Sequence, residues 1–317
     1  NVPLGPNQGR GVASGFWFNI GGETSVTMNL NEDGTVALLV GNPDIGGSRA
    51  SMSMMAAEEL GIEAEDVRVS IADTGSLGFN FLSAGCRTTF AVGKAPINAA
   101  REVNTEMKAR AAKVWDIPED AVVWEDGHAR PASTNAGDFE PLSIVEIAKK
   151  ASATGGPISG HIQTNVTGAG PSLATEAVDV EVDPETGQVK ILRVTVAQDA
   201  GKAIHPSYVE GQFQGAAAQG IGWALNEEYI YDDKGRLENP NFLDYRIPVA
   251  SDLPMIDTVI VEVPNPNHPY GVRGIGETSI VPVMAAVNNA IENAIGIRMS
   301  DLPMSPPKVL KAIDEAG

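Results

Sequence analysis

Three glycines fall within six positions late in the chain, Gly271, Gly274 and Gly276, and they deliver one carboxylate, Glu277, directly in front of Thr278 and Ser279. Glycines spaced like this mean either positive φ or backbone pressed against something bulky. A carboxylate carried on so short a loop could act as a general base toward a bound group, held still by the element behind it. It also has an ordinary reading: acidic side chains are favoured near helix N-termini, and Thr278 or Ser279 would serve as an N-cap. The helix itself is legible. Val283, Val287, Ile291 and Ala294 step by three or four from a start near Pro282, and Gly296 ends the run.

Two other loops carry chemistry-bearing residues in front of helices. Asp44-Ile45-Gly46-Gly47-Ser48 offers backbone amides to an anion, although Asp44 as a turn former and Ser48 as a cap explain it equally well. Ser83-Ala84-Gly85-Cys86-Arg87-Thr88-Thr89 gathers hydroxyls, a thiol and an arginine, a set suited to phosphate. A plain helix start accounts for all of it except the arginine. Gln212, Gln214 and Gln219 lie on a helix rich in glycine and alanine. If that helix is buried its amides need partners, which a flat polar heterocycle would supply. Several glycine loops, few charges and one carboxylate are the means by which a protein holds a large polar cofactor and leaves the hard chemistry to it.

The elements that must position these residues repeat. Residues 26–30 alternate as a strand, the 31–34 turn ends in Asp-Gly, and 35–40 return as the second strand of a hairpin. Then come the Asp44 loop and a helix with Ala50, Met54, Ala57 and Leu60 on one face. In the second half 178–182 and 189–196 form a hairpin, followed by Asp199-Ala200-Gly201 and a helix lined by Val209, Phe213, Ala216 and Gly220. Between them lie a strand at 67–71, a helix marked by Ala100, Val103, Met107, Ala111 and Val114, and a small hairpin turning at Asp126-Gly127. Further hairpin strands are expected at 227–231 and 236–239, an irregular, partly buried stretch at 240–254, a strand at 259–263 and a last helix opening at Ser305-Pro306. The pattern predicts an α+β fold: two repeated two-layer α/β sandwich subdomains with mostly antiparallel or mixed sheets, divided as 1–160 and 161–317.

Composition sets limits. A chain of 317 residues, 43% hydrophobic, can build roughly two cores. A net charge of −19 argues against a nucleic-acid partner. One cysteine, Cys86, fits a reducing, cytoplasmic setting. His128, His161, His205 and His268 lie far apart without metal-ligand spacing, so no side-chain-ligated metal is expected. No apolar run is long enough to span a bilayer and no leader pattern opens the chain, which starts at Asn1 rather than Met.

Four stretches, PDIGGSRASMSMMAAEELGI, SAGCRTTFAVGKA, VEGQFQGAAAQGIGWALNEE and GVRGIGETS, resemble in order and spacing the C-terminal half of the molybdenum-binding subunit of the xanthine dehydrogenase and aldehyde oxidase family. The resemblance covers essentially the whole chain. It implies a molybdenum hydroxylase in which molybdenum is carried on the dithiolene of molybdopterin, in bacteria usually the cytosine dinucleotide form, with no protein side chain on the metal. The glutamate matching Glu277 would accept a proton at that centre while water-derived oxygen is transferred to a carbon of an N-heteroaromatic or aldehyde substrate. Electrons would leave through [2Fe–2S] clusters to FAD. By position, Gly85 and Gly276 would approach the cofactor. Cys86, Arg87, Thr88 and Thr89 would contact the pterin or its phosphate, and Gln212 matches a glutamine associated with the pterin. Gly46, Gly47 and Ser48 match a loop that usually reads Gly-Gln-Gly. Gly47 stands at the glutamine position, so that amide contact is lost or replaced by Ser48 or Arg49, and Cys86 stands where serine is common.

The family's N-terminal half of the molybdenum subunit, an iron–sulfur cysteine set and a flavin fold are not in these residues. The chain is therefore expected to be a split subunit or part of a longer polypeptide, with the other half, an Fe–S subunit and an FAD subunit as partners. A non-catalytic scaffold or assembly subunit that binds no molybdenum is the rival reading, and a nucleophilic Cys86 a third, although no motif places a histidine beside that cysteine.

Overall fold

The computed structural model describes residues 3–73, 75–168 and 170–317. Its strands are β1 (Gln8–Trp17), β2 (Gly22–Leu30), β3 (Val36–Val40), β4 (Val67–Ile71), β5 (Val122–Glu125), β6 (His128–Pro131), β7 (Leu142–Ser143), β8 (Ser159–Val166), β9 (Ser172–Val182), β10 (Val189–Asp199) and β11 (Ile256–Val261). Its α-helices are α1 (Ser48–Leu60), α2 (Lys94–Trp115), α3 (Ile144–Lys149), α4 (Ala151–Thr154), α5 (Pro206–Leu225), α6 (Ile280–Ile295) and α7 (Pro306–Ala316). The chain forms two compact units, one from Asn1–Phe18, Pro171–Pro264 and Ile275–Gly317, the other from Asn19–Gly170 and Asn265–Gly274.

In the first of these units a sheet runs β1-β9-β10-β11. The β9–β10 hairpin is antiparallel, β1 joins β9 antiparallel, and β11 returns parallel to β10 after α5. Side chains alternate along β9, with Val178, Val180 and Val182 turned to the core formed with Phe213, Ile221, Val283, Val287 and Ile291 of α5 and α6. Helix α6 lies directly on β1: a side-chain carbon added at Gly9 or Gly11 would run into the Ala290 or Ala286 carbonyl. Gly296, in left-handed geometry at φ 74, caps the far end of α6.

The other unit repeats the arrangement. Its sheet runs β4-β3-β2-β8, with an antiparallel β2–β3 hairpin, β8 antiparallel to β2, and β4 parallel to β3 after α1. Val26, Met28 and Leu38 of the sheet and Met52, Met55, Leu60, Ile97, Val103 and Met107 of α1 and α2 are fully buried or nearly so. A small sheet β5-β6-β7 precedes α3, whose N-terminus carries a capping box between Ser143 and Glu146. The mixed sheets, each covered by helices, are the two-layer α+β architecture expected from the repeated pattern.

Several details differ from the sequence expectation. The units do not divide at 160/161: β1 comes first in the chain yet pairs with β9, and Asn265–Gly274 belongs with the unit that holds β2. On α1 the buried face carries Met52, Met55 and Ala56 beside Ala57 and Leu60, leaving Ala50 and Met54 at its margin. On α2, Val114 is exposed and Trp115 takes the buried position. The hairpin expected at 227–239 reduces to a single bridge between Tyr231 and Leu237. The 240–254 stretch is largely exposed, with Phe242 at 94% and Leu243 at 85%.

Candidate functional site

Glu277 is half-buried and sits one residue beyond an exposed Gly276, just ahead of α6. Ser279 occupies the N-cap position in helical geometry, φ −66 and ψ −23, but its hydroxyl makes no capping bond. Instead the Ser279 Oγ donates to Oε1 of Gln198, a residue 1% exposed near the end of β10. The same amide donates from Nε2 to the Ile275 carbonyl at 3.0 Å and to Ser172 Oγ at 3.0 Å. Ser172 Oγ donates onward to the Asp199 carbonyl at 2.7 Å. Thus one buried side chain holds the chain on both sides of Glu277. The ordinary reading of Thr278 and Ser279 as caps does not describe this loop, because Thr278 Oγ1 is buried without a hydrogen-bond partner.

Gln212, on α5 in the same unit, lies beside Gly276: a side-chain carbon there would come within 3.3 Å of Gln212 Oε1. Gly276 backbone and the Gln212 amide therefore face one another next to Glu277. Of the other two amides on α5, Gln214 is half-buried and donates to the Ile256 carbonyl at 3.3 Å, whereas Gln219 is exposed and needs no special partner.

The remaining sequence candidates lie in the other unit. Gly46 and Gly47 both take left-handed geometry, φ 60 and 78, and lead into α1. Arg49 and Ser48 are engaged within this loop. Arg49 Nε donates to Asp44 Oδ2 at 2.7 Å, and Ser48 Oγ accepts from the Ile45 N–H at 3.3 Å. Burial pushes the Asp44 carboxyl up, but hydrogen bonds from Arg49 and Ser48 outweigh it and hold the group below the usual carboxylate range.

Gly85 and Cys86 form a second left-handed pair, φ 60 and 54, followed by a π-helical turn, Thr88–Val92, that runs into α2. Such turns are rare and concentrate at functional sites. Thr88 and Thr89 are half-buried within it. Arg87, fully buried, is not aimed outward. Its Nε donates to the Gly21 carbonyl, Nη1 to the Phe81 and Leu82 carbonyls, and Nη2 to the Glu23 carbonyl and Thr24 Oγ1, at 2.8 to 3.4 Å. These bonds occupy all five guanidinium N–H groups, so Arg87 builds the loop from within and keeps no donor for a phosphate.

This unit also brings two of the motifs together. Gly274 packs onto the Cys86 carbonyl, where any side-chain carbon would collide. Buried Asn19 holds Gly274 from the other side, donating from Nδ2 to its carbonyl at 3.1 Å and accepting from its N–H at Oδ1 at 3.0 Å.

Asn19, Gln198 and Glu176 are the residues that sequence reasoning missed. Glu176 lies on the inner face of β9, 0% exposed, with neither carboxylate oxygen partnered. Burial raises its pKa from the ordinary 4.5 to about 8. A signal existed for two of them. The inward parity of Val178–Val180–Val182 runs back through Glu176, and that of Val194–Val196 runs on to Gln198, so each is a polar residue at a core position.

Among the described residues no group of three or more His, Cys, Asp and Glu side chains is placed to hold a metal ion. In the unit that carries α5 and α6, an exposed glycine backbone faces an amide next to a carboxylate. The other unit presents two loops with consecutive left-handed residues. Taken separately, each set has the chemistry to hold an edge of a flat, polar heterocycle.

The family model described as the molybdopterin cofactor-binding domain matches residues 6–254. A putative xanthine dehydrogenase molybdenum-binding subunit of Escherichia coli is 33% identical over 299 residues, covering 91% of this chain and 39% of the relative. The aldehyde oxidoreductase molybdenum-binding subunit of the same organism is 30% identical over 319 residues, covering 97% of this chain and 41% of the relative. Among solved structures, quinoline 2-oxidoreductase of Pseudomonas putida superposes with a TM-score of 0.86 at 25% identity, covering 98% of this chain and 42% of that one. The chain thus spans about two fifths of the length of these relatives. With a matching model over well more than half of its residues, the chain belongs to the molybdopterin cofactor-binding domain family, as represented in molybdenum-binding subunits of the xanthine dehydrogenase and aldehyde oxidoreductase type.

Proposed function

We propose that this chain is one part of a molybdenum hydroxylase that converts a C–H bond of a small N-heteroaromatic or aldehyde substrate to C–OH with oxygen from water, releasing two electrons and two protons. The observation that carries the reading is Glu277 itself, presented beside an exposed Gly276 and the Gln212 amide. Kinship to xanthine, aldehyde and quinoline oxidoreductases supports the substrate classes.

When bound, the molybdenum of a molybdopterin cofactor, here in the cytosine dinucleotide form, would supply oxygen transfer and take up the electron pair. The chain's residues would do the rest. Gly276 and Gln212 would hold one edge of the pterin through a backbone group and an amide. In the other unit, Gly46, Gly47, Gly85, Cys86, Thr88 and Thr89 are the proposed further contacts, through backbone N–H groups and the threonine hydroxyls, with Ser48 and Arg87 holding the two loops in shape from within. Glu277 would receive one of the released protons at its carboxylate, a role that needs a fixed position more than a strong base.

The partners we infer from the kinship are the N-terminal half of the molybdenum subunit, as a separate chain or as part of a longer polypeptide, and Fe–S and FAD subunits that would carry electrons away. We propose a cytoplasmic setting, with which a single cysteine is in keeping; among the described residues no helix is long and apolar enough to cross a membrane. In the assembled complex, Glu277→Gln should retain molybdenum and pterin while losing most turnover. A wild-type complex lacking molybdenum and pterin altogether would instead favour the scaffold reading, to which the Gly47 departure points.

A further inference from the structure

We propose that Gln198 is a positioning residue for Glu277, an inference that rests on the function proposed above but has a test independent of it. The geometry is specific. Glu277 stands on a loop whose two flanks, the Ile275 carbonyl and the Ser279 hydroxyl, are both bonded to the one Gln198 side chain. Gln198 is itself fixed, because it lies in β10 between β9 and β11, and its Nε2 also donates to Ser172 Oγ, which is anchored on the Asp199 carbonyl. An amide is the side chain that can do this, since it presents a donor to the carbonyl on one flank and an acceptor to the hydroxyl on the other.

At a fully buried site no water competes for these bonds, and losing the amide leaves the Ile275 carbonyl and the Ser279 hydroxyl without their partner. The loop between them would then gain freedom. Because proton acceptance depends on reach, with about 1 Å of misplacement costing on the order of a hundredfold, Gln198 acts on rate through Glu277 without touching cofactor or substrate. Gln198 therefore differs from Gln212, which faces Gly276 and the proposed cofactor edge.

The test uses the assembled complex carrying Gln198→Met, which keeps the volume, and Ser279→Ala, which removes only the hydroxyl. Both variants should keep molybdenum and pterin content, hold KM within about twofold, and lower kcat per molybdenum by about 10- to 100-fold for Gln198→Met and less for Ser279→Ala. The double variant should fall little below Gln198→Met, since both changes cut the same bond. Backbone amide exchange of a peptide spanning 275–281 should quicken in both variants while peptides from β1 keep their protection. Unchanged exchange across 275–281, or a loss expressed in KM or cofactor content, would overturn the positioning role. The exchange readout needs no turnover, so it still judges the clamp if Glu277→Gln proves fully active and the hydroxylase reading fails.

Discussion

Replacing Glu176 by methionine should stabilise the protein, and by an amount that grows with pH. The carboxyl is 0% exposed on the inner face of β9, both oxygens lack hydrogen-bond partners, and burial raises its pKa from 4.5 to about 8. The folded state therefore keeps a proton that the unfolded chain releases above about pH 4.5. The stability associated with this group is full below that value and is lost as pH rises toward 8. At ~1.36 kcal/mol per pH unit, the interval sets a ceiling of about 5 kcal/mol for the loss. Methionine has similar volume, carries no charge to desolvate and suits Val196, paired across from Glu176 on β10, and Val178, two residues along on the same face. Denaturant unfolding of wild type and Glu176→Met, followed side by side from pH 5 to 9, isolates the group, because the other carboxylates contribute equally to both. The variant should lead by about 1–2 kcal/mol at pH 5, the cost of an unpartnered neutral acid, and by several kcal/mol at pH 9. A difference that stays flat across this range would mean the carboxyl is hydrated or paired, and the reasoning would fail.

Two other perturbations follow from single observations. Arg87→Met removes a side chain bonded to four carbonyls and one hydroxyl. With several buried carbonyls left without a donor, at about 1–3 kcal/mol each before relaxation, it should cost several kcal/mol, read as a Tm fall on the order of 10 °C, whereas a phosphate-contact role alone would weaken cofactor retention and leave the melting temperature alone. Gly274→Ala forces a methyl onto the Cys86 carbonyl and should lower stability by about 1–3 kcal/mol. A neutral result would show that the Asn19 clasp gives way easily.

Much of the architecture was legible because it is local. The β2–β3 and β9–β10 hairpins are written in Asp-Gly and Asp-Pro-Glu-Thr-Gly turns, and α6 in the spacing of Val283, Val287 and Ile291. Glu277 stood out for the same reason, as the one carboxylate among three glycines. Long-range features were not legible. Nothing local in β1 says that it pairs with β9 some 160 residues away, so the unit boundaries were misplaced. Arg87 beside Cys86 and two threonines read as an anion contact, because a sequence cannot tell which carbonyls its five donors will find. Gln198 and Glu176 escape a sequence reading because each lies outside the apolar run that marks its strand. Both strands continue beyond it: at its inward position Gln198 holds the loop of Glu277, whereas Glu176 lies unpartnered against the core.

Whether the carboxylate of Glu277 accepts a proton in the reaction is read from kcat per bound molybdenum in the Glu277→Gln complex. Glutamine preserves shape and removes both charge and proton acceptance. The rate should fall by about 100-fold or more with molybdenum and pterin at wild-type levels, and a rate within a few-fold of wild type would contradict the assignment.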